Sequence, residues 1–437
     1  MKLSRSVALV AMLALLPVAA SCGGSDDEGG GGQAGEVSGS ISFLVFGEPE
    51  ELKAYRNLIR AFKTESPNAT VKLVEASDRD DLLARLSTSF AGGDPPDLFL
   101  LNYRFYGQFA ARDVLEPIEE RVDDSEVFAQ EDFYEQALDA FRFEGTLTCL
   151  PQNISSLVVY YNRDLFEQAG VAEPEEGWTW NDMVEKALKL TKDTDGDGNP
   201  DQFGLGVEPS IIRIAPFVWS NGGEIVDSED GPIRFTLDTP EAVEAMQAFF
   251  DLRRKHLVIP SEEEIESEDD EARFLNGTTA MVLSSRRSTP SFRTITKFDW
   301  DVAALPQHEE PAGILHSDAY CMTTASENKD AAWRFMEFAL GPEGQRITAE
   351  SGRTVPSLKE VSESSAFLDP GAKPASSRVF IDTIPVIKRV PHVSTWPEIE
   401  DAAEGILEGG LYEKVDAEQV AKQLDEATRE IFARAEG

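Results

Sequence analysis

The sequence predicts an α/β protein built as more than one unit, with at least one doubly wound sheet. Three observations carry this expectation. Between Ile41 and Leu101 the apolar pattern runs strand, helix, strand, helix, strand, the order that lays helices over a mostly parallel sheet. The last of these strands, Asp97-Leu98-Phe99-Leu100-Leu101, is apolar without alternation, as a strand covered on both faces should be. Residues 145–166 read GTLTCLPQNISSLVVYYNRDLF, one strand-like run ending at Pro151 and a second starting at Leu157. Proline has no amide hydrogen to give a central ladder, so Pro151 marks a point where the chain leaves one sheet and enters another.

The elements follow in order. Ile41–Phe46 is a strand and Gly47-Glu48-Pro49 the turn at its carboxyl end. Residues 50–64 place Leu52, Tyr55, Leu58, Ile59 and Phe62 on one face of a helix. Val71–Val74 is the second strand and Asp81–Phe90 the second helix. Ligands of doubly wound sheets sit beyond the carboxyl ends of strands, which marks Phe46-Gly47-Glu48 and Asn102-Tyr103-Arg104 as ligand-facing loops. After Pro151, Asn162 caps one helix and Thr179 or Asn181 another. Helices are expected over 211–219, ending at Asn221-Gly222-Gly223, and over 240–255. The acidic run 261–271 reads as a solvated helix or loop. A strand ending near Leu283 delivers Ser284-Ser285-Arg286-Arg287 to its tip, and Phe298–Leu305 is another strand. Helices over 327–340 and 342–351 follow, with Trp396-Pro397 in a connecting loop before the C-terminal helices.

A chain of 437 residues is too long for one small core. Its 40 Lys+Arg face 80 Asp+Glu, a formal charge of −40, which repels nucleic acid and anionic lipid. An acidic ligand is disfavoured unless a local basic site overrides that field. At the N-terminus, Lys2 and Arg5 precede an apolar run from Val7 to Ala20 that is too short to span a bilayer. Ala19-Ala20-Ser21-Cys22 has the small residues before a cysteine expected of a lipoprotein processing box. Cys22 would carry the lipid, and the Gly/Ser/acidic stretch 23–40 would be a flexible tether.

Asp193, Asp195, Asp197, Asn199 and Asp201, with Gly198 between them, match the oxygen-ligand spacing of a calcium loop. Position twelve is Gly204 rather than a bidentate acid, with Glu208 the nearest substitute. The sequence leaves two readings, a structural calcium staple or an unoccupied acidic turn, and no other cofactor is expected. Motifs for serine hydrolases, zinc proteases and phosphate-cradling loops are absent, and the four histidines have no ligand spacing. Ser326-Glu327-Asn328-Lys329 matches an acylating motif but sits where serine caps a helix.

The stretch ending Tyr161-Asn162-Arg163-Asp164-Leu165-Phe166 resembles the first crossover of the extracellular solute-binding proteins of ABC importers, the maltose-binding-protein-like family. Gly92-Gly93-Asp94-Pro95-Pro96-Asp97, Phe274-Leu275-Asn276-Gly277 with Ala280-Met281, Asn328–Phe335 and Gly341–Gln345 agree in the same order. The resemblance implies a two-lobed periplasmic-binding-protein-like fold of type II, each lobe a doubly wound sheet flanked by helices and joined by hinge crossovers. It sets lobe 1 at 41–150 and 319–366 and lobe 2 at 151–318 and 367–437. It implies capture of a carbohydrate for a membrane permease, without catalysis, by a lipid-anchored monomer outside the cytoplasm. The rival readings are a non-sugar or anionic solute in the same fold, and a glycan-active enzyme.

A cleft for such solutes needs flat apolar faces and planar polar groups. Strand tips and crossovers offer Glu48, Asn102, Tyr103 and Arg104 from lobe 1, and Gln152, Asn153, His316, Ser317 and Asp318 from the crossovers. Trp219, Asn221, Ser285, Arg286, Arg287 and Trp396 come from lobe 2, and Arg353 from a cleft-facing turn. Maltose-binding relatives usually place an aromatic group at 285–287 and often Asp at the position of Tyr103, so these departures speak against malto-oligosaccharides. Cys149 and Cys321 fall in stretches that the family places as neighbouring crossovers. A small buried thiol in each is the default expectation, with a disulfide as the alternative.

Overall fold

The computed structural model describes residues 37–435. Its first sheet has five strands. Gly39–Val45 lies between Ala69–Glu75 and Leu98–Asn102, all parallel. Asp318–Met322 adds antiparallel to Leu98–Asn102, and Cys149–Pro151 closes the edge against it. Pro151 thus sits at the end of an edge strand, where its missing amide costs no ladder hydrogen bond. The helices Pro49–Glu65 and Arg79–Gly92 fall between the parallel strands as the pattern predicts.

The second sheet is smaller and wound differently. Val158–Asn162 lies between Met281–Ser284 and Trp300–Ala303, antiparallel to both, and Phe203 and Gly206 add parallel bridges to Thr279 and Val282 on the outer side. The two sheets remain separate, joined by the segments around Pro151 and 313–318. The buried apolar side chains nonetheless form one continuous cluster through those crossovers. The C-terminal helices Trp396–Tyr412 and Ala417–Phe432 pack on Pro240–Arg254, and Trp396–Tyr412 also touches Tyr103–Ala110. Gly107 permits the close approach of the segment that leads into that C-terminal helix: a Cβ there would lie 1.7 Å from the His392 carbonyl oxygen.

Several local expectations change. The first strand begins at Gly39, inside the expected tether. Trp396 opens a helix rather than lying in a loop. The acidic run 261–271 resolves into the helix Glu262–Ser267, capped reciprocally by Ser261 and Glu264, and the start of Asp270–Asn276. Cys149 and Cys321 stand directly opposite one another on adjacent strands and form a disulfide, so the default of two free thiols is overturned. Cys22 and the targeting segment lie outside the described residues. Among the described residues no helix is long and apolar enough to cross a membrane.

Candidate functional site

The carboxyl ends of the first-sheet strands open onto a polar cavity of about 230 Å³ facing the second sheet. A neighbouring space of about 290 Å³ shares Phe46, Arg79, Arg287 and Arg353 with it.

Local structure explains how the first-sheet side chains arrive there. Asn102 ends a strand and caps the helix Tyr103–Ala110, its Oδ1 accepting from the Arg104 amide at 3.2 Å. Its Nδ2 donates to Asp318 Oδ1 at 3.0 Å, tying the strand end to the returning crossover. Asn153 Oδ1 accepts from the Asp318 amide at 3.0 Å, and the Ser317 hydroxyl donates to the Asn153 carbonyl at 2.7 Å. Ser155 and His316 exchange backbone hydrogen bonds of 2.9 and 2.8 Å. The two crossovers are therefore cross-linked to each other beneath the cavity.

Charge dominates the walls. Arg79, Arg104, Arg213, Arg287 and Arg353 all line the first cavity, with Glu51, Glu208 and Asp318. Arg104 Nη1 pairs with Glu400 Oε2 at 2.7 Å, Arg213 Nη2 with Glu208 Oε1 at 2.7 Å, and Arg287 Nη2 with Glu271 Oε1 at 3.5 Å. Arg353 Nε meets Glu51 Oε2, and the Tyr55 hydroxyl donates to Glu51 Oε1 at 3.0 Å. Burial raises the Glu51 carboxyl to about 7, against the opposing pull of Arg353. The His316 imidazole is held well below its ordinary range by burial and by Arg213, Arg104, Arg287 and Arg79, so it is neutral at physiological pH.

Of the sequence-selected residues, the first cavity is lined by Asn102, Tyr103, Arg104, Asn153, Ser285, Arg287, His316, Asp318 and Arg353, and Glu48 lines the second. Six others point elsewhere. Ser317 is buried, its hydroxyl committed to the Asn153 carbonyl. Arg286 is 1% exposed and lies between the Phe367 and Phe380 rings, its Nε donating to the Gly352 carbonyl at 2.7 Å and its Nη1 to Ser377 Oγ at 3.2 Å. Trp396 is buried against Phe235 and Phe432, and Trp219 is buried with Lys388 over its ring. Asn221 ends a helix and donates to the Glu241 carbonyl at 2.9 Å. Gln152 is buried beside Tyr55. The tryptophan rings, the Arg286 guanidinium and the Asn221 amide found partners in the packing, which the sequence pattern did not distinguish from a cleft wall.

Phe46, from the loop marked as ligand-facing, and Thr354, from the cleft-facing turn of Arg353, also line the cavity. Sequence reasoning missed Glu51, Arg79, Ser155, Glu208, Ile212 and Arg213 as cleft residues. Ser155 lies close to a selected residue, and Arg79 opens a helix at the correct sheet end, which were usable signals. Arg213 lies inside an otherwise apolar helix, Ile211–Ser220, and that anomaly was the signal for it. Glu208 pairs with Arg213 in the cleft, so it is no substitute ligand for the acidic loop. In that loop the carboxylates of Asp193, Asp195 and Asp197 bring ligand oxygens within 4.8 Å of one another. Asp193 accepts from the Gly196 and Gly198 amides at 2.6 and 2.8 Å, and Asp201 accepts from Thr194 Oγ1 at 2.6 Å. Gly204, at the twelfth position, packs on Ala187, where a Cβ would lie 2.1 Å from its carbonyl oxygen.

Comparison with known proteins places this geometry. The model of the bacterial extracellular solute-binding protein family matches residues 47–346. The maltotriose-binding protein of Pyrococcus abyssi is 24% identical over 331 residues, covering 74% of this chain and 68% of that protein. The structure of a Listeria monocytogenes ABC substrate-binding protein in complex with cycloalternan superposes with a TM-score of 0.81 at 25% identity, covering 90% and 98% of the two chains. UgpB from Mycobacterium tuberculosis in complex with glycerophosphocholine gives a TM-score of 0.78 at 21% identity, covering 91% and 99%. The backbone arrangement of this chain is thus shared with these solved structures, and the chain belongs to the bacterial extracellular solute-binding protein family.

Proposed function

We propose that this protein is the extracytoplasmic substrate-binding component of an ABC importer, capturing a carbohydrate or polyol between its lobes and handing it to the membrane permease. The observation that carries this reading is the convergence of polar side chains from both sheets and both crossovers on one cavity of about 230 Å³. Together with the adjoining spaces that share Arg79, Arg104, Arg287 and Arg353 with it, this cavity reaches the range of small-molecule sites. Phe46 supplies an apolar face, while Asn102, Asn153, Asp318 and the arginines supply planar hydrogen-bonding groups suited to hydroxyls. The relatives' solutes include maltotriose, cycloalternan and glycerophosphocholine, so the family frame accommodates both sugars and polar phosphodiesters.

The site binds without making or breaking bonds. Its acids are engaged: Glu51 with Arg353, Glu208 with Arg213, and Asp318 with Asn102. Closure of the lobes would bury the solute and create the surface the permease reads. Lipid at Cys22 would hold the protein to the outer face of the membrane as a monomer, and the acidic loop would hold a structural calcium ion through Asp193, Asp195 and Asp197.

A thermal-shift panel of mono- and oligosaccharides and polyols, neutral and charged, tests the binding reading, since a ligand bound only by the folded state raises the melting temperature. A saturable shift that is lost in Asn102→Ala and Arg287→Ala is expected. New reducing ends on incubation with glycans would establish turnover and remove the binding-only reading.

A further inference from the structure

Within the cleft, donors and acceptors do not balance. Arg213 is 6% exposed, and while its Nη2 pairs with Glu208, its Nε and Nη1 have no hydrogen-bond partner. Arg79 Nε, across the cavity on the first-sheet side, is likewise buried and unpartnered, as is Thr354 Oγ1. The acids lining the cavity are already engaged by Arg353, Arg213 and Asn102. A buried N–H without an acceptor costs free energy, and like-charged guanidiniums gathered in one cavity add to that cost.

A neutral polyol supplies acceptors but brings a donor with each hydroxyl, and it leaves Arg79, which unlike Arg104, Arg213, Arg287 and Arg353 has no ion pair among the described residues, without a counter-charge. A carboxylate or phosphate supplies only acceptors and offsets the charge, and the planar guanidinium matches its geometry. His316 reports the same local field: after burial, the leading influences that lower its basicity are Arg213, Arg104, Arg287 and Arg79, all of this cavity, in a chain whose formal charge is −40.

We propose that the imported solute is an acidic carbohydrate or polyol, bearing a carboxylate or a phosphate, and that Arg213 with Arg79 and Arg287 grips its anionic group. This rests on the reading of the cleft as the solute site and adds the chemical class of the solute.

The experiment is a thermal-melt titration of the purified protein at matched ionic strength. The probes are glucose, glucuronate, glucose 6-phosphate and inorganic phosphate, with sodium chloride as reference. A saturable rise with phosphate and with at least one of the acidic sugars is expected, exceeding any rise with glucose. The two acidic sugars separate carboxylate from phosphate. Arg213→Met should weaken the apparent affinity about 10- to 100-fold, the range for a buried hydrogen bond to a charged group. Arg287 is a second variant whose side chain is 60% exposed, so Arg287→Met should fold normally and weaken binding in the same sense. Arg346→Met, on the surface, should leave the response unchanged.

Glucose binding equal to that of the acidic probes and retained in Arg213→Met would overturn the anionic assignment and leave the cleft as the solute site. An anion response that survives both Arg213→Met and Arg287→Met would overturn the assignment and the cleft reading together. The absence of any Arg213-dependent response to phosphate and both acidic sugars would also overturn the assignment.

Discussion

Arg104 in the cleft wall is held by Glu400, whose Oε2 lies 2.7 Å from the guanidinium while its Oε1 accepts from the Trp396 indole at 2.9 Å. The pair joins the helix after a first-sheet strand to the first C-terminal helix. Trp396 therefore reaches the cleft through Glu400, and its ring is committed to the core.

Because both charges are mostly removed from water, with side-chain exposures of 15% and 16%, the pair should show measurable coupling. A double-mutant cycle of Arg104→Ala and Glu400→Ala, read by chemical denaturation, is expected to give about 1–3 kcal/mol. Trp396→Phe keeps an aromatic ring but removes the N–H and the volume of its pyrrole ring from a buried position, and should cost at least the roughly 1.5–3 kcal/mol of a hydrogen bond to a charged group, with a cavity contribution in addition.

Arg286 is a structural strut rather than a ligand contact. Arg286→Ala removes a guanidinium packed between Phe367 and Phe380 and strands the Gly352 carbonyl. A loss of about 3 kcal/mol in the absence of any solute is expected, seen as a lower melting temperature of the free protein. Arg287→Ala, one residue on, should leave that temperature nearly unchanged.

Glu51 and Asp270 make stability depend on pH in a stated direction. Burial raises each carboxyl to about 7, from 4.5 for Glu51 and 3.8 for Asp270. In those windows the folded chain holds protons that the unfolded chain has released, so stability falls as pH rises toward 7. Glu51→Gln and Asp270→Asn should each flatten the melting temperature measured from pH 4.5 to 7.

The disulfide Cys149–Cys321 closes a sequence separation of 172 residues, and both cysteines are fully buried. Alkylation of the native, unreduced protein should add no mass at either cysteine, whereas denaturation with reductant should expose both. Cys149→Ser with Cys321→Ser is expected to cost about 2–5 kcal/mol, measured by denaturant midpoint.

Calcium titration tests the acidic loop. A rise in melting temperature is expected, abolished by Asp193→Asn with Asp195→Asn. No rise would leave 193–201 as an acidic turn satisfied by its own amides.

The sequence by itself determined the parallel strands of the first sheet, the helices between them and the exit at Pro151. Apolar period and cap chemistry act over a few residues, and they placed Glu48, Asn102 and Tyr103 at strand ends. They also set Ser285 and Arg287 at the tip of a second-sheet strand. Only the tertiary structure decided which polar groups share the cleft and which large side chains turn inward. A helix position such as Arg213 or Glu51 is buried whether it faces a core or an opposing lobe, and periodicity around one axis does not separate those cases. The same ambiguity made Arg286, Trp219 and Trp396 read as cleft walls, because an aromatic ring or a guanidinium serves packing as well as recognition. The pairing of Cys149 with Cys321 was settled by strand register between distant segments, which local pattern does not encode.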